Sequence, residues 1–231
     1  MAAPDKTRKY DATRRRAAAE RTRQRVLSAA QHFFTTRGYA ETSVAQIARR
    51  ARVSVDTVYT SVGRKPQLLL AVHDMALAEG QEPVPAELRD YVRAIREAPT
   101  ARGKIETYAA ALGRVIPQTA PLMTALREAG ATEPRCREVW QSLNDRRAAN
   151  MSRFASELRA TGEIRSDLSD QQVADLVWSM NSAEYFGLLA SRGLTPQEYS
   201  DVLADVWRRT LLAASVPASE QGALARRRNA D

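Results

Sequence analysis

The sequence predicts an all-α fold in two parts, a small N-terminal bundle containing a helix-turn-helix and a larger C-terminal helical body. Three observations carry that prediction. Apolar residues recur every three to four positions through most of the chain, the period of an amphipathic helix. No stretch alternates polar and apolar residues between turn signals, as half-buried strands do. Helix starts and stops are punctuated in the expected way, with Ser, Thr or Pro at beginnings and Gly at ends.

Taken in order, residues 1–19 are polar, basic and aperiodic, and read as a flexible arm that includes Arg14, Arg15 and Arg16. From Glu20 to Arg37 the positions Val26, Leu27, Ala30, Phe33 and Phe34 form one stripe, and Gly38 stops the helix. Ser43 and Gln46 have the spacing of a capping box, after which Val44, Ile47, Ala48 and Ala51 line one face. Ser54 can cap a second short helix in which Val58 points inward. Lys65-Pro66 opens a further helix, because proline's missing N–H costs little in the first turn. Leu68, Leu69, Val72 and Met75 give that helix its apolar face.

Pro83, Pro85 and Pro99 mark a composition shift that suggests a boundary near residue 80, with a short helix inside it. Five helices are expected beyond it, at about 100–116, 118–129, 134–161, 169–191 and 195–214. Ser169 and Thr195 are the expected caps of the last two. The expected units are thus 1–19, 20–80 and 81–214, followed by a mobile tail at 215–231.

Composition narrows the function. The chain has 231 residues, 44% of them hydrophobic and 27% charged, which suits a globular protein of one or two domains. No apolar run is long enough to span a membrane. The N-terminus has no apolar segment after its charges, so it does not read as a signal peptide. The single cysteine, Cys136, cannot form an internal disulfide, and a cytoplasmic protein is expected. Residues 1–70 hold 15 Lys and Arg against 5 Asp and Glu, a balance of +10 in a chain whose total is +8. Charge concentrated in this way is the footprint of a polyanion binder, although a solvated basic face would look the same.

Two short helices joined by a three- to four-residue turn, with a supporting helix before them, describe a helix-turn-helix. Such a motif places the start of its second helix at base edges in the major groove. Val53 and Val58 would hold that helix to its support, leaving Val55, Asp56, Thr57, Tyr59, Thr60 and Ser61 to face outward. Ser43, Arg49, Ser54 and Lys65 flank it and suit phosphate oxygens, as do Arg14, Arg15 and Arg16 in the arm.

The stretch "TSVAQIARRARVSVDTVYTSVGRKPQLL" resembles the TetR family of one-component transcriptional regulators. Ile47, Ala48, Ala51, Val53, Ser54, Thr57, Tyr59, Lys65 and Leu68 stand at matching positions of its motif. Three positions depart from it. Arg52 replaces the turn glycine, Asp56 replaces a second glycine, and Val62 replaces an aromatic residue. An arginine at the turn must adopt a left-handed conformation or force another geometry. Asp56 repels phosphate but can accept from cytosine N4, which makes it a candidate specificity residue. The resemblance implies a DNA-binding domain followed by a helical domain that dimerises and holds a small molecule. It also implies that Tyr59 and Lys65 are a phosphate-contacting pair.

The C-terminal part offers Met123, Trp140, Met151, Trp178, Asn181, Glu184 and Tyr185 as candidate ligand contacts, each of which could equally be ordinary packing. Asn181 and Glu184 interrupt the apolar face of the helix expected at 169–191 and need partners, whether a helix, water or a ligand. Trp178, Asn181 and Tyr185 would share one face of that helix. The set carries little net charge, so a mainly hydrophobic effector is expected. The helices at about 169–191 and 195–214 also show more apolar surface than a small domain needs, which suits the dimer interface implied by the resemblance.

His32 and His73 lack neighbouring ligand spacing and read as packing or surface residues, so no metal site is expected. Cys136, between Arg135 and Arg137, could have a depressed pKa and a redox role, but it has no resolving partner. No phosphate loop, nucleophile elbow or zinc-protease motif is present, and no cofactor is expected. The expected function is that of a homodimeric, ligand-released repressor on a pseudo-palindromic DNA operator. Two rivals are a non-specific nucleic-acid or architectural protein, favoured by the basic segment alone, and a small helical enzyme, for which no catalytic constellation is visible.

Overall fold

The computed structural model describes residues 6–80 and 83–214, with side chains from Arg14 onward. Ten α-helices form among these residues. They are α1 (Lys6–Arg37), α2 (Val44–Ala51), α3 (Val55–Ser61), α4 (Lys65–Leu77), α5 (Asp90–Glu97), α6 (Ala101–Ala129), α7 (Pro134–Arg159), α8 (Asp170–Met180), α9 (Ala183–Ala190) and α10 (Pro196–Leu211). A 3-10 turn at Ala86–Leu88 precedes α5. The extended pairing among the described residues is one bridge between Ile164 and Leu212. The fold is all-α, with the helix-turn-helix at its N-terminal end. No described helix is long and apolar enough to cross a membrane.

The caps lie where the sequence puts them. Ser43, Ser169 and Thr195 each close a reciprocal capping box, and the Ser54 side chain accepts from the Thr57 amide. Each such cap stabilises its helix by about 1 kcal/mol. Gly38 ends α1 at φ 77°, a left-handed conformation that glycine adopts without the steric cost of a Cβ.

Three elements differ from expectation. Helix α1 begins at Lys6, so residues 6–19 are helical rather than a flexible arm. They contain helix formers such as Ala17–Ala19 with Lys and Arg, and no Gly or Pro, and Arg14–Ala19 are exposed, so no buried stripe marks them for periodicity to find. Residues 1–5 and the tail at 215–231 lie outside the described residues.

The second difference is that one helix, α6, runs through both Pro117 and Pro121 in place of the two expected. A proline inside a helix costs about 3 kcal/mol or more. Val115, Ile116, Thr119, Ala120, Leu122, Met123 and Leu126 are buried around the two prolines and supply the offsetting packing. Beneath this segment, a Cβ on Gly113 would lie 2.9 Å from Ser200 Cβ and 3.0 Å from the Pro196 carbonyl. Only glycine lets α6 and α10 approach so closely.

The third difference is that the helix expected at 169–191 is two helices, broken at Asn181 and Ser182. Asn181 leaves the helical region at φ −86°, ψ 36°, and the Ser182 side chain caps α9 by accepting from the Tyr185 amide. Trp178, Asn181 and Tyr185 therefore do not share the face of one helix.

The two units do not have separate interiors. One core is built from α5 to α10 around Ile105, Tyr108, Phe154, Tyr199, Leu203 and Trp207. The other joins Val26, Ile47, Val58, Leu68 and Val72 to Leu126, Cys136, Val139 and Leu143. Helices α1 to α4 thus rest on the end of α6 and the start of α7.

Candidate nucleic-acid interface and buried cavity

The α2–α3 turn is tight because Arg52 adopts the left-handed conformation, φ 57° and ψ 50°. The Arg52 and Val53 amides donate to the Arg49 and Ala48 carbonyls at 3.2 and 3.0 Å, closing α2. Fully buried Val58 pins α3 onto this support, and half-buried Val53 and Val55 pack beside it. The opposite face carries Asp56, Tyr59 and Thr60, all exposed, while Thr57 and Ser61 are half-buried. Tyr59 is 43% exposed, and its ring centre lies 5.9 Å from the Arg64 guanidinium.

Several hydroxyls of this surface already serve the fold. Ser54 Oγ and Thr57 Oγ1 lie 2.8 Å apart, Thr60 Oγ1 donates to the Asp56 carbonyl, and Ser61 Oγ donates to the Val58 carbonyl. Arg23 of α1 donates to the Ser61 carbonyl at 2.7 Å and fixes the end of α3. Ser43 is exposed but occupied in its capping box, and Arg49 is exposed on α2. Lys65 Nζ sits 4.0 Å from the centre of the Tyr39 ring, and partial burial lowers its pKa. Arg14, Arg15 and Arg16 are exposed on the early turns of α1.

The same Tyr39 holds Cys136, with its hydroxyl 3.0 Å from Sγ. Burial raises the thiol pKa, opposite to the depressed value expected from the flanking arginines, because Arg135 and Arg137 point to solvent. Arg137 donates instead to the Gly130 carbonyl.

A cavity of about 80 Å³ lies between α4, α5, α6, α7 and the α8–α9 junction. Met123, Trp140, Met151, Asn181 and Glu184 line it, as the sequence suggested, whereas Trp178 and Tyr185 do not. Trp178 lies 5.4 Å beneath the Arg147 guanidinium, and Tyr185 packs 6.4 Å from Tyr199. Asn181 is buried, and its partners are protein groups. Nδ2 donates to Tyr108 Oη at 2.6 Å, and Oδ1 accepts from Arg147 at 2.5 Å. Glu184 pairs with Arg127 at 3.1 Å.

Three arginines and a histidine absent from the sequence-based set also line it: Arg89, Arg146, Arg147 and His73. Arg147 also donates to the Trp178 and Asn181 carbonyls, and burial lowers its pKa. A sequence signal for it exists, since Arg147 stands between Leu143 and Met151 at four-residue spacing and so interrupts a buried stripe. Asp74 is the hub of the cluster. It accepts from both Arg146 guanidinium nitrogens, at 3.0 and 2.7 Å, and from His73 Nδ1 at 3.2 Å. Burial pushes the Asp74 carboxyl up, but the hydrogen bonds from His73 and Arg146 outweigh it and hold the pKa below the usual carboxylate range. His73 is fully buried, and its pKa is lowered by that burial.

Residues 26–72 match the family model described as bacterial regulatory proteins, tetR family. No curated protein matches the chain in sequence. Solved structures share its architecture. A TetR transcriptional regulator from Chloroflexus aurantiacus is 21% identical, with 85% of this chain and 100% of that chain covered and a TM-score of 0.60. NalD of Pseudomonas aeruginosa, the secondary repressor of the MexAB-OprM multidrug efflux pump, is 19% identical, with 85% and 99% covered and a TM-score of 0.62. The regulator FadR of Bacillus subtilis, solved with stearoyl-CoA, is 15% identical, with 79% and 95% covered and a TM-score of 0.61. Likeness at these identities shows the fold.

Proposed function

We propose that this chain, a TetR-family transcriptional regulator by its N-terminal domain, is a homodimeric, sequence-specific repressor that a small molecule in the buried cavity releases from DNA. The observation that carries the reading is the link between reading helix and cavity. Asp74 belongs to α4, which shares a core with α3, and its carboxylate is held by Arg146 from the cavity wall on α7. A ligand that redirects Arg146 would shift α4 in both chains and change the spacing of the two α3 helices. The coupling requires that the ligand bind the released arrangement more tightly than the DNA-bound one.

Other features support the parts of this reading. Asp56, Tyr59 and Thr60 are presented on a pinned helix, as direct base readout requires. Lys65, Arg49, Ser43 and the arginines of α1 surround it as phosphate contacts that would position the protein without reading sequence. For dimerisation, α9 has no fully buried residue within the chain although its sequence is AEYFGLLA, and its Leu188 is exposed. NalD is a repressor and FadR was solved with a small molecule, so the shared architecture accommodates both roles.

Selection of bound duplexes from a randomised library tests the proposal. Wild type should enrich an inverted repeat, and Asp56→Ala should lose preference at one base pair per half-site, a change of about 1–3 kcal/mol there. No enrichment by wild type would instead mean an architectural nucleic-acid protein. An identical motif from both proteins would remove Asp56 from the readout.

A further inference from the structure

The charge on the cavity wall says what kind of molecule belongs there. A separate lobe of about 90 Å³ shares Tyr91 and Tyr108 with the wall of the first. Arg89 lines both lobes. Its side chain is only 7% exposed, yet Nε has no hydrogen-bond partner. Its remaining contacts are weak, 3.4 Å to Tyr91 Oη and 3.9 Å to Asp74 Oδ1. Among the described residues its one ion-pair partner is already taken, since Asp74 receives two hydrogen bonds from Arg146 and one from His73, and Glu157, which lines the second lobe with Glu87, pairs with Arg96. Arg147 is satisfied by the neutral oxygens of Asn144, Trp178 and Asn181, and Glu184 is engaged by Arg127. A buried guanidinium with an unpartnered Nε and only long contacts at its terminal nitrogens lacks the paired acceptor that buried charges require.

We propose that the cavity takes a small organic carboxylate, with its head group at the weakly held terminal nitrogens of Arg89 and beside the Tyr91 hydroxyl. Arginine's planar fork suits a carboxylate, which accepts two parallel hydrogen bonds from it. The body of the ligand lies against Leu112, Ile116, Met123 and Trp140, apolar residues that line the same cavity. At about 10–15 Å³ for each water-sized occupant, one lobe accommodates a compact acid rather than a long chain. The inference rests on the proposed regulator function and replaces the mainly hydrophobic effector expected from sequence with an anionic one. A carboxylate here would also compete with Asp74 for Arg89, at the cluster that ties α4 to the cavity wall.

The test uses benzoate and hexanoate as probes, benzamide and hexanamide as uncharged counterparts, and sodium chloride at matched ionic strength. Binding is followed by thermal shift and by intrinsic tryptophan fluorescence, to which Trp140 of the cavity wall contributes, with wild type compared to Arg89→Gln. One or both acids should raise the melting temperature of wild type, while the amides and chloride should not. Arg89→Gln should weaken that binding at least tenfold. Should Arg89→Gln fail to fold, Tyr91→Phe tests the same head-group position and should weaken binding of the acids. Equal binding of acids and amides, a shift matched by chloride, or no binding of either acid would overturn the proposal. Acid binding that leaves DNA affinity unchanged would retain the carboxylate site and remove the release function. An enriched inverted repeat without acid binding would do the reverse.

Discussion

At the scale of single residues, Arg52 shows how a family pattern can be kept while its signature residue is lost. The turn between α2 and α3 retains the left-handed geometry that glycine would supply, and an arginine carries it at φ 57°. Left-handed backbone costs a non-glycine residue roughly 1–2 kcal/mol, partly offset by glycine's larger entropy loss on folding. Arg52→Gly should therefore stabilise the chain by a few tenths to about 1 kcal/mol, read as a higher urea midpoint at unchanged slope. A lower midpoint would mean that the arginine makes a compensating contact. Arg89 and Asp74 teach the opposite lesson. Their chemistry depends on residues distant in the chain, and nothing in their local sequence announces it.

At the scale of elements, what was legible was what is encoded locally. Stripes such as Val26, Leu27, Ala30, Phe33 and Phe34, and caps such as Ser43, Ser169 and Thr195, depend on neighbours within one or two turns. The passage of α6 through two prolines and the break at Asn181 depend on tertiary partners, so local pattern misplaced both. The α8–α9 break is held by Asn181, which joins Tyr108 of α6 to Arg147 of α7. Asn181→Leu leaves these two buried groups short of a partner, and should destabilise by about 1–3 kcal/mol in urea unfolding. An unchanged stability would mean that the break is set by the Ser182 cap alone.

Helix α4 adds a pH dependence. His73 has a lowered folded pKa, so the unfolded chain binds more protons once pH falls below its ordinary value of about 6.5. Its contribution is present above that value and is lost on acidification. The depressed Asp74 acts in the same direction but only below about pH 4, its ordinary range. As pH falls below about 6.5, stability should fall by at most about 1.4 kcal/mol per pH unit, and His73→Asn should flatten the decline. Equal slopes for wild type and His73→Asn would assign the titration elsewhere.

At the scale of the whole molecule, the apolar surface read from the last two helices divides in two. Val177, Met180, Leu203 and Leu211 enter the chain's own core, while Leu188 is 68% exposed and Leu176, Leu189, Val202 and Val206 stay half-buried. The proposed dimer would cover this remainder. Leu188→Glu should shift the protein from dimer to monomer in light scattering, with its helical circular dichroism retained. A dimer that persists would place the interface elsewhere.

The central claim is that two copies of α3 read two half-sites on one face of DNA, and hydroxyl-radical footprinting of the selected duplex tests it most directly. Two protected blocks are predicted, with centres about 34–36 Å apart or at a multiple of that helical repeat. Asp56→Ala should keep the spacing and relax the preferred sequence. A single protected block, or unbroken protection along the duplex, would contradict the account.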